Sequence, residues 1–341
     1  MDTRTGLRCV QRFVRRRPQG DARRKSRGMG ELRGPDRVIT LLEPPRPAGL
    51  TSGGFRYQER LVAAIGAAAR RITVNQEHLH EHVRHLRATQ PSGAVVVDGW
   101  FADLCDRPLP AGVTALMHMQ PHDRTWAADV ERAIATGAST ADALRKHVAT
   151  VKLVRPGIDE CFAPRPRRGD NSLGIICSGT ISEQKGQRRL VEALRDAPGP
   201  WRLTVVGSTS TDPEAVARLR ATASTCPVTI LDTVSPDVLA DLYAQHDLFV
   251  SLSSSESYGM AAAEAVAAGL PMFGLATGEL HSFGRNDARW LLPVDATDNA
   301  IATALHGLMS RPDSLRDSRG VAVTAPRSWA EVAAEFVAAC R

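Results

Sequence analysis

The sequence predicts an α/β protein made of two doubly wound, Rossmann-like parallel-sheet domains that face a cleft. Three observations predict it. From Val38 onward, short β-rich apolar runs alternate with helical patterns, the signature of right-handed βαβ units covered on both faces. The alternation stops across 155–170 (RPGIDECFAPRPRRGD), which is rich in Pro, Gly and charge, and then restarts. The chain has 341 residues, 43% of them hydrophobic, enough for two cores of ordinary size.

In the first half, strands are expected at Val38–Leu42, Ile72–Val74, Ala94–Asp98, Val113–His118, Ala133–Thr136 and Val151–Val154, with helices at Phe55–Ala69, Glu77–Thr89 and Thr140–His147. After the Pro- and Gly-rich linker, strands are expected at Leu173–Cys177, Arg202–Val206, Val228–Leu231, Leu248–Ser251 and Pro271–Gly274. Helices fall at Lys185–Arg195, Pro213–Thr222, Pro236–Gln245 and Gly259–Ala268. Ligands in such sheets sit beyond the carboxyl ends of the strands, so the cleft is where a site is expected.

Charge and cysteine usage narrow the function class. The net charge of +6 is uneven, because residues 1–36 alone carry eleven Arg/Lys against four Asp/Glu. The remainder has a balance of −1, close to neutral. The basic segment has few apolar residues and reads as a disordered tail, with Met29 an alternative start. Basic charge of this kind gives salt-sensitive, sequence-blind attraction to polyanions. Three tyrosines and scattered tryptophans form no stacking platform, so no specific nucleic-acid partner is expected. Six scattered cysteines without a CxxC pair point to reduced thiols and a cytoplasmic location. No apolar run reaches the roughly 18 residues of a membrane span, and no secretory signal is visible.

Leu248 to Pro271 (LFVSLSSSESYGMAAAEAVAAGLP) carries the chemistry. A buried-strand pattern ends in a Ser-rich turn, followed by Glu256, Tyr258, Gly259 and Met260, and then by an Ala-rich helix containing Glu264. A small-residue turn entering a helix offers free backbone N–H groups and a positive dipole end, which suits a phosphate. Gly259 leaves room for a close backbone approach. Glu256 and Glu264 stand about 12 Å apart along the axis at ~1.5 Å per residue. They can accept hydroxyl hydrogen bonds at the two ends of a sugar–diphosphate–ribose ligand. The bland alternative makes them a solvated turn residue and a surface helix residue, but an acid among so many alanines needs a partner.

Glu256 to Glu264 resembles the E-x7-E motif of the large retaining GT-B family, family 4 type (glycosyl transferases group 1). That family includes many bacterial phosphatidylinositol, sucrose and lipopolysaccharide glycosyltransferases. Further blocks resemble it in order: GLTSGGFRYQERLVAAI, VRPGIDECFAP, SGTISEQKGQRRLVEAL, WRLTVVGS and VSPDVLADLYAQHDLFVSLS. The resemblance implies a GT-B fold with an acceptor-side domain at 37–155, a donor domain at 156–325, and a last helix at 326–341 (Trp329–Cys340) crossing back to the first. It implies transfer of a hexose from a nucleoside diphosphate sugar to a hydroxyl of a small-molecule or lipid-linked acceptor, with retention of anomeric configuration. Another GT-B enzyme, such as a sugar-nucleotide epimerase or an inverting transferase, and a non-catalytic GT-B subunit are the rival readings.

By the same resemblance, Glu264 binds the ribose hydroxyls and Glu256 those of the donor sugar. Tyr258, Gly259 and Met260 offer backbone amides to the diphosphate, Ser257 and Thr180 belong to the donor-binding set, and Lys185 neutralises the leaving phosphate. Gly53 and Gly54 let the first domain close over the phosphates, and His118 stands beside the reacting sugar. The family has Arg where this chain has Thr180. A single Lys lacks the bidentate fork of Arg, and Arg124 and Arg285 are candidates for a second cation. No cofactor is implied beyond the co-substrate, and no metal, since no DxD-like carboxylate pair stands at a strand end.

Weaker signals lie elsewhere. Asp98, at the strand end VVVDGW, can orient an acceptor or cap the turn before Gly99, and His122 can contact an acceptor. His78 and His82 share a helical face as zinc ligands would, but Arg84 and Arg87 beside them repel a cation, which favours a solvated face. The charge asymmetry generates a test: deleting residues 1–28 is expected to leave the melting temperature and turnover unchanged while lowering the pI. A loss of several degrees would show that this segment packs on the fold.

Overall fold

Each half of the chain forms a six-stranded, fully parallel sheet in the computed structural model, which describes residues 38–46, 52–105, 107–119, 125–168, 170–319 and 326–341. The basic segment 1–36, His122 and Arg124 lie outside the described residues. The first sheet comprises β1 (Ile39–Glu43), β2 (Ala69–Thr73), β3 (Ala94–Asp98), β4 (Thr114–Met117), β5 (Arg132–Ala135) and β6 (Thr150–Leu153), in the order β2-β1-β3-β4-β5-β6. The second comprises β7 (Leu173–Ser178), β8 (Trp201–Val206), β9 (Val228–Leu231), β10 (Leu248–Ser251), β11 (Met272–Leu275) and β12 (Arg289–Leu292), in the order β12-β11-β10-β7-β8-β9. All five residues of β1 are buried, as a strand covered on both faces requires. The edge strand β2 instead exposes Arg70 and Arg71, charges that discourage pairing with another chain.

The helices are α1 (Gly53–Ile65), α2 (Leu79–Thr89), α3 (Phe101–Leu104), α4 (Ala138–Leu144), α5 (Gln187–Leu194), α6 (Pro213–Ala223), α7 (Pro236–Ala244), α8 (Met260–Ala267), α9 (Asp298–Met309), α10 (Pro312–Asp317) and α11 (Trp329–Ala339). Helix α1 starts where the Ser52 side chain accepts from the Phe55 amide at 3.3 Å. It buries Tyr57, Leu61 and Ile65 at helical spacing and stops at Gly66, whose φ of 73° suits glycine. It is therefore shorter than the expected Phe55–Ala69, and the strand expected at Ile72–Val74 starts earlier, at Ala69.

Two other expectations shift. The helix expected from Lys185 starts at Gln187, because Glu183–Lys185 forms a single 3-10 turn ended by Gly186 in the left-handed region. Described residues of the linker pack on the fold: Phe162 is fully buried against Tyr243, with ring centroids 5.9 Å apart, and Asp159 accepts from Arg60 at 2.6 Å. The sequence reading had no counterpart for α3, α9, α10 or β12.

Helix α11 lies on α1. It buries Val332, Ala333, Phe336 and Ala339 in one cluster with Leu41, Tyr57, Leu61 and Val96 of the first sheet's layer. A capping box, Ser328 with Glu331, fixes its start, and Ile158 donates to the Arg327 carbonyl at 2.8 Å just before it. The last helix is thus part of the first domain's core. Phe336→Ala is expected to cost about 3 kcal/mol or more, the usual range for a buried aromatic reduced to alanine. Urea unfolding measures it, and a loss near zero would mean that α11 is an appendage.

Candidate functional site

Sheet order decides where a crevice opens. In the second sheet the chain reverses direction of travel between the neighbours β7 and β10, so the loops after them part at their carboxyl ends. The loop after β7 carries Thr180 and Lys185, and the loop after β10 carries Glu256 to Gly259. The two loops are interlocked: a Cβ on Gly186 would lie 2.5 Å from the Leu252 carbonyl oxygen, and Ser254 donates to the Gln184 carbonyl at 2.9 Å. Their contact brings Lys185 Nζ to 2.5 Å from Glu256 Oε1. The Thr180 carbonyl accepts from Gln187 Nε2 at 2.9 Å, which ties the same loop to the start of α5.

Helix α8 begins at Met260 behind Gly259, with no side-chain cap. Gly259 has φ 102°, and a Cβ there would lie 2.6 Å from Leu280 Cδ1. Both facts demand glycine for the packing of this turn. Tyr258 turns its ring against Phe283, with centroids 5.0 Å apart, and burial pushes its phenol up to about 12. Its backbone carbonyl accepts from the Glu279 amide at 3.0 Å.

Glu264 is 2% exposed, which corrects the reading of it as a surface helix residue. The partner that such an acid needs comes from the other domain. Arg56 on α1 grips it with both ends of its fork, Nη2 to Oε1 at 2.6 Å and Nη1 to Oε2 at 3.3 Å. Burial raises the Glu264 carboxyl pKa, and the Arg56 charge opposes that rise. The Arg56 guanidinium is itself raised above its ordinary value, because attraction to Glu264 outweighs its own desolvation.

The first domain's contribution gathers at the start of α1. A Cβ on Gly53 would stand 3.3 Å from Met260 Sδ, and one on Gly54 would stand 2.9 Å from His118 Cδ2. The glycine pair therefore touches the second domain's helix start on one side and the imidazole on the other. Gln58 is fully buried one turn further on, and its amide nitrogen donates to Asp98 Oδ2 while lying 3.3 Å from His118 Nε2. An amide NH2 only donates, so His118 Nε2 accepts, and its proton sits on Nδ1, 3.4 Å from Thr136 Oγ1. Burial holds the His118 pKa below its ordinary value, with Asp98 pulling the other way. Both ring nitrogens are engaged, so His118 is a neutral cleft wall and its ring is not free to serve as a base. Asp98 is also buried, and its Oδ1 accepts from the Trp100 amide at 2.9 Å. It caps the turn, and the acceptor-orienting alternative finds no open carboxylate here.

A third set of contacts crosses the cleft. A Cβ on Gly137 would lie 2.2 Å from the Ser257 carbonyl oxygen, and Ser257 Oγ lies 3.0 Å from Thr140 Oγ1. Glu279, almost fully buried, accepts from the Ala138 amide at the start of α4 (2.7 Å) and from Arg155 Nε (2.5 Å). Of the candidates, Gly53, Ser257, Met260 and Glu264 thus stand at contacts between the two halves, Gly54 and His118 face each other, Lys185 pairs with Glu256, and Thr180, Tyr258 and Gly259 lie on the loops after β7 and β10. Arg285 does not join them; it pairs with Asp287 at 2.6 Å on an exposed turn. His82 Nδ1 bonds the His78 carbonyl at 3.0 Å, so that ring is turned along its own helix. Sequence reasoning missed Arg56, Gln58 and Glu279. Only Gln58 left a signal, a polar residue beside the apolar stripe of Tyr57, Leu61 and Ile65.

Residues 172–311 match the family described as Glycosyl transferases group 1. The D-inositol 3-phosphate glycosyltransferase of Xylanimonas cellulosilytica is 34% identical over 210 residues, covering 55% of this chain and 50% of the relative. That of Rhodococcus jostii is 30% identical over 259 residues, covering 67% of this chain and 55% of the relative. The chain thus spans about half the length of these curated relatives. Among solved structures, sucrose-phosphate synthase from Thermosynechococcus elongatus superimposes with a TM-score of 0.64 at 18% identity, covering 89% of this chain and 94% of that one. Anabaena HepE in complex with UDP and glucose gives a TM-score of 0.63 at 14% identity over 89% and 98%. The fold is therefore GT-B, two Rossmann-like domains.

The His118 geometry is directly testable. Nitrogen-15 shifts of the imidazole are expected to report a ring still mostly neutral, and protonated at Nδ1, at the ordinary histidine midpoint of about 6.5. A ring that protonates at or above that midpoint would show that Gln58 and Thr136 do not hold it as described.

Proposed function

We propose that this chain is a retaining hexosyltransferase, moving a hexose from a nucleoside diphosphate sugar to an acceptor hydroxyl. One observation carries the reading. Glu256 and Glu264 stand on either side of the uncapped start of α8, at the switch point of the second sheet, with Lys185 on the first carboxylate. That order of carboxylate, amide-lined helix start and carboxylate matches the order of hexose, diphosphate and ribose in a nucleotide sugar. The group 1 match over 172–311 covers this part of the chain, and one solved structure of the same fold was obtained with UDP and glucose.

The chemistry follows from the groups present. Binding turns Glu256 from Lys185 to the hexose hydroxyls, and Lys185 then faces the diphosphate. The bond from the anomeric carbon to the phosphate oxygen lengthens while the acceptor oxygen approaches on the same face, and the acceptor proton passes to the departing phosphate oxygen. Lys185 and the start of α8 stabilise the charge that builds on that phosphate, so most of the rate enhancement is electrostatic. Neutral His118 shapes the wall beside the sugar and takes no proton. The relatives in hand are named for an inositol phosphate acceptor, which makes a cyclitol or its phosphate the first acceptor class to assay.

The two carboxylates separate in a kinetic test. Glu264→Gln is expected to weaken nucleoside diphosphate binding with little change in single-turnover rate, because ribose contacts are alike in ground and transition states. Glu256→Gln is expected to lower the single-turnover rate, because its partner ring changes shape and charge during transfer. Circular dichroism checks that both variants fold. If Glu264→Gln keeps nucleotide affinity within about twofold, the ribose assignment is wrong.

A further inference from the structure

We infer that Arg56, contributed by the opposite domain, is a phosphate-binding residue of the donor site, held on Glu264 until the nucleotide claims that carboxylate. The inference rests on the donor-site reading above and extends it to a residue outside the second domain. Both Glu264 oxygens are occupied by the Arg56 fork, and the carboxylate is 2% exposed. A ribose hydroxyl reaches it only by displacing the guanidinium. The released charge stays in the cleft, because Arg56 sits in the first turn of α1, three residues from Gly53, which touches Met260.

Charge balance says where it goes. Lys185 is neutralised by Glu256 and Arg56 by Glu264. A nucleoside diphosphate sugar adds negative charge in the middle and claims a carboxylate at each end, which frees both cations at once. Other nearby cations have counter-ions that the ligand does not claim: Arg60 is held by Asp159 and Arg155 by Glu279. From Glu264 back to Met260 is four residues, or about 6 Å along the helix, a distance that an arginine side chain covers by rotation. There its planar fork meets phosphate oxygens with the geometry it now uses on a carboxylate.

The test compares each nucleoside with its diphosphate, using uridine and UDP, adenosine and ADP, and guanosine and GDP. Removing Arg56 also removes a competitor for Glu264, which strengthens nucleoside and diphosphate alike. The ratio of the two affinities cancels that effect and isolates the phosphate contact. Arg56→Met is expected to lower the diphosphate-over-nucleoside preference about tenfold, the scale of one charge-assisted bond. Adding Thr180→Arg in that background is expected to restore it. Arg56→Lys, which keeps the charge and packs more like the native side chain, is expected to lose less and serves if the methionine variant folds poorly. A preference unchanged in both Arg56 variants overturns the inference and leaves the function reading intact. A wild-type protein that prefers no diphosphate over its nucleoside overturns both.

Discussion

The Glu264 carboxylate is the constraint around which the cleft is arranged. It lies in an alanine-rich helix buried on nearly every side, where an unpaired charge is unsustainable. The cation that resolves this is 208 residues away in sequence, on a helix of the other sheet. Removing one partner of such a pair costs about 3–5 kcal/mol, because the other is left buried and bare. The contact therefore does more than decorate the interface: it couples the protonation and solvation of a candidate binding group to the position of the first domain.

Electroneutrality extends the same logic. Each candidate ligand-binding carboxylate is matched with a cation, Glu256 just before an uncapped helix start and Glu264 one turn inside that helix. A site made of neutral pairs can stay folded when empty and still become strongly polarised when a ligand with hydroxyls at its ends and charge in its middle enters. In the proposed reading, exchange of partners supplies the electrostatic work. The contacts of Ser257 with Gly137 and Thr140, and of Glu279 with the start of α4, hold the domains in register while this happens.

Glycines set how near the two halves come. Gly53 and Gly137 each face an atom of the opposing half at a distance that a methyl group would violate or strain, and Gly54 stands as close to His118 of its own half. Helix α11 adds to the closure from behind, since it shares a core with α1 and fixes the helix that carries Arg56, Tyr57 and Gln58. A long polar network thus hangs on an ordinary apolar seam.

By itself the sequence determined the parallel α/β architecture, because the period-two runs and helical stripes are local and each buried strand must be apolar on both faces. It also marked the loop and helix from Glu256 to Glu264, since small residues before a helix and an acid among alanines are visible without a fold; the Lys185 loop came from the family resemblance alone. What it left open was decided by contacts between distant elements. Arg56 reads as one exposed-type residue in a helix until α8 is laid against it. Gln58 becomes the arbiter of the His118 tautomer only when β3 and β4 bring Asp98 and His118 beside α1. The helix start at Gln187, two residues later than the pattern implies, follows from Gly186 meeting Leu252 of another loop. Local chemistry chose the elements and pointed to one loop and helix as a candidate site; the pairing of its charges belongs to the tertiary structure, because a buried charge is satisfied by whatever the fold brings within reach.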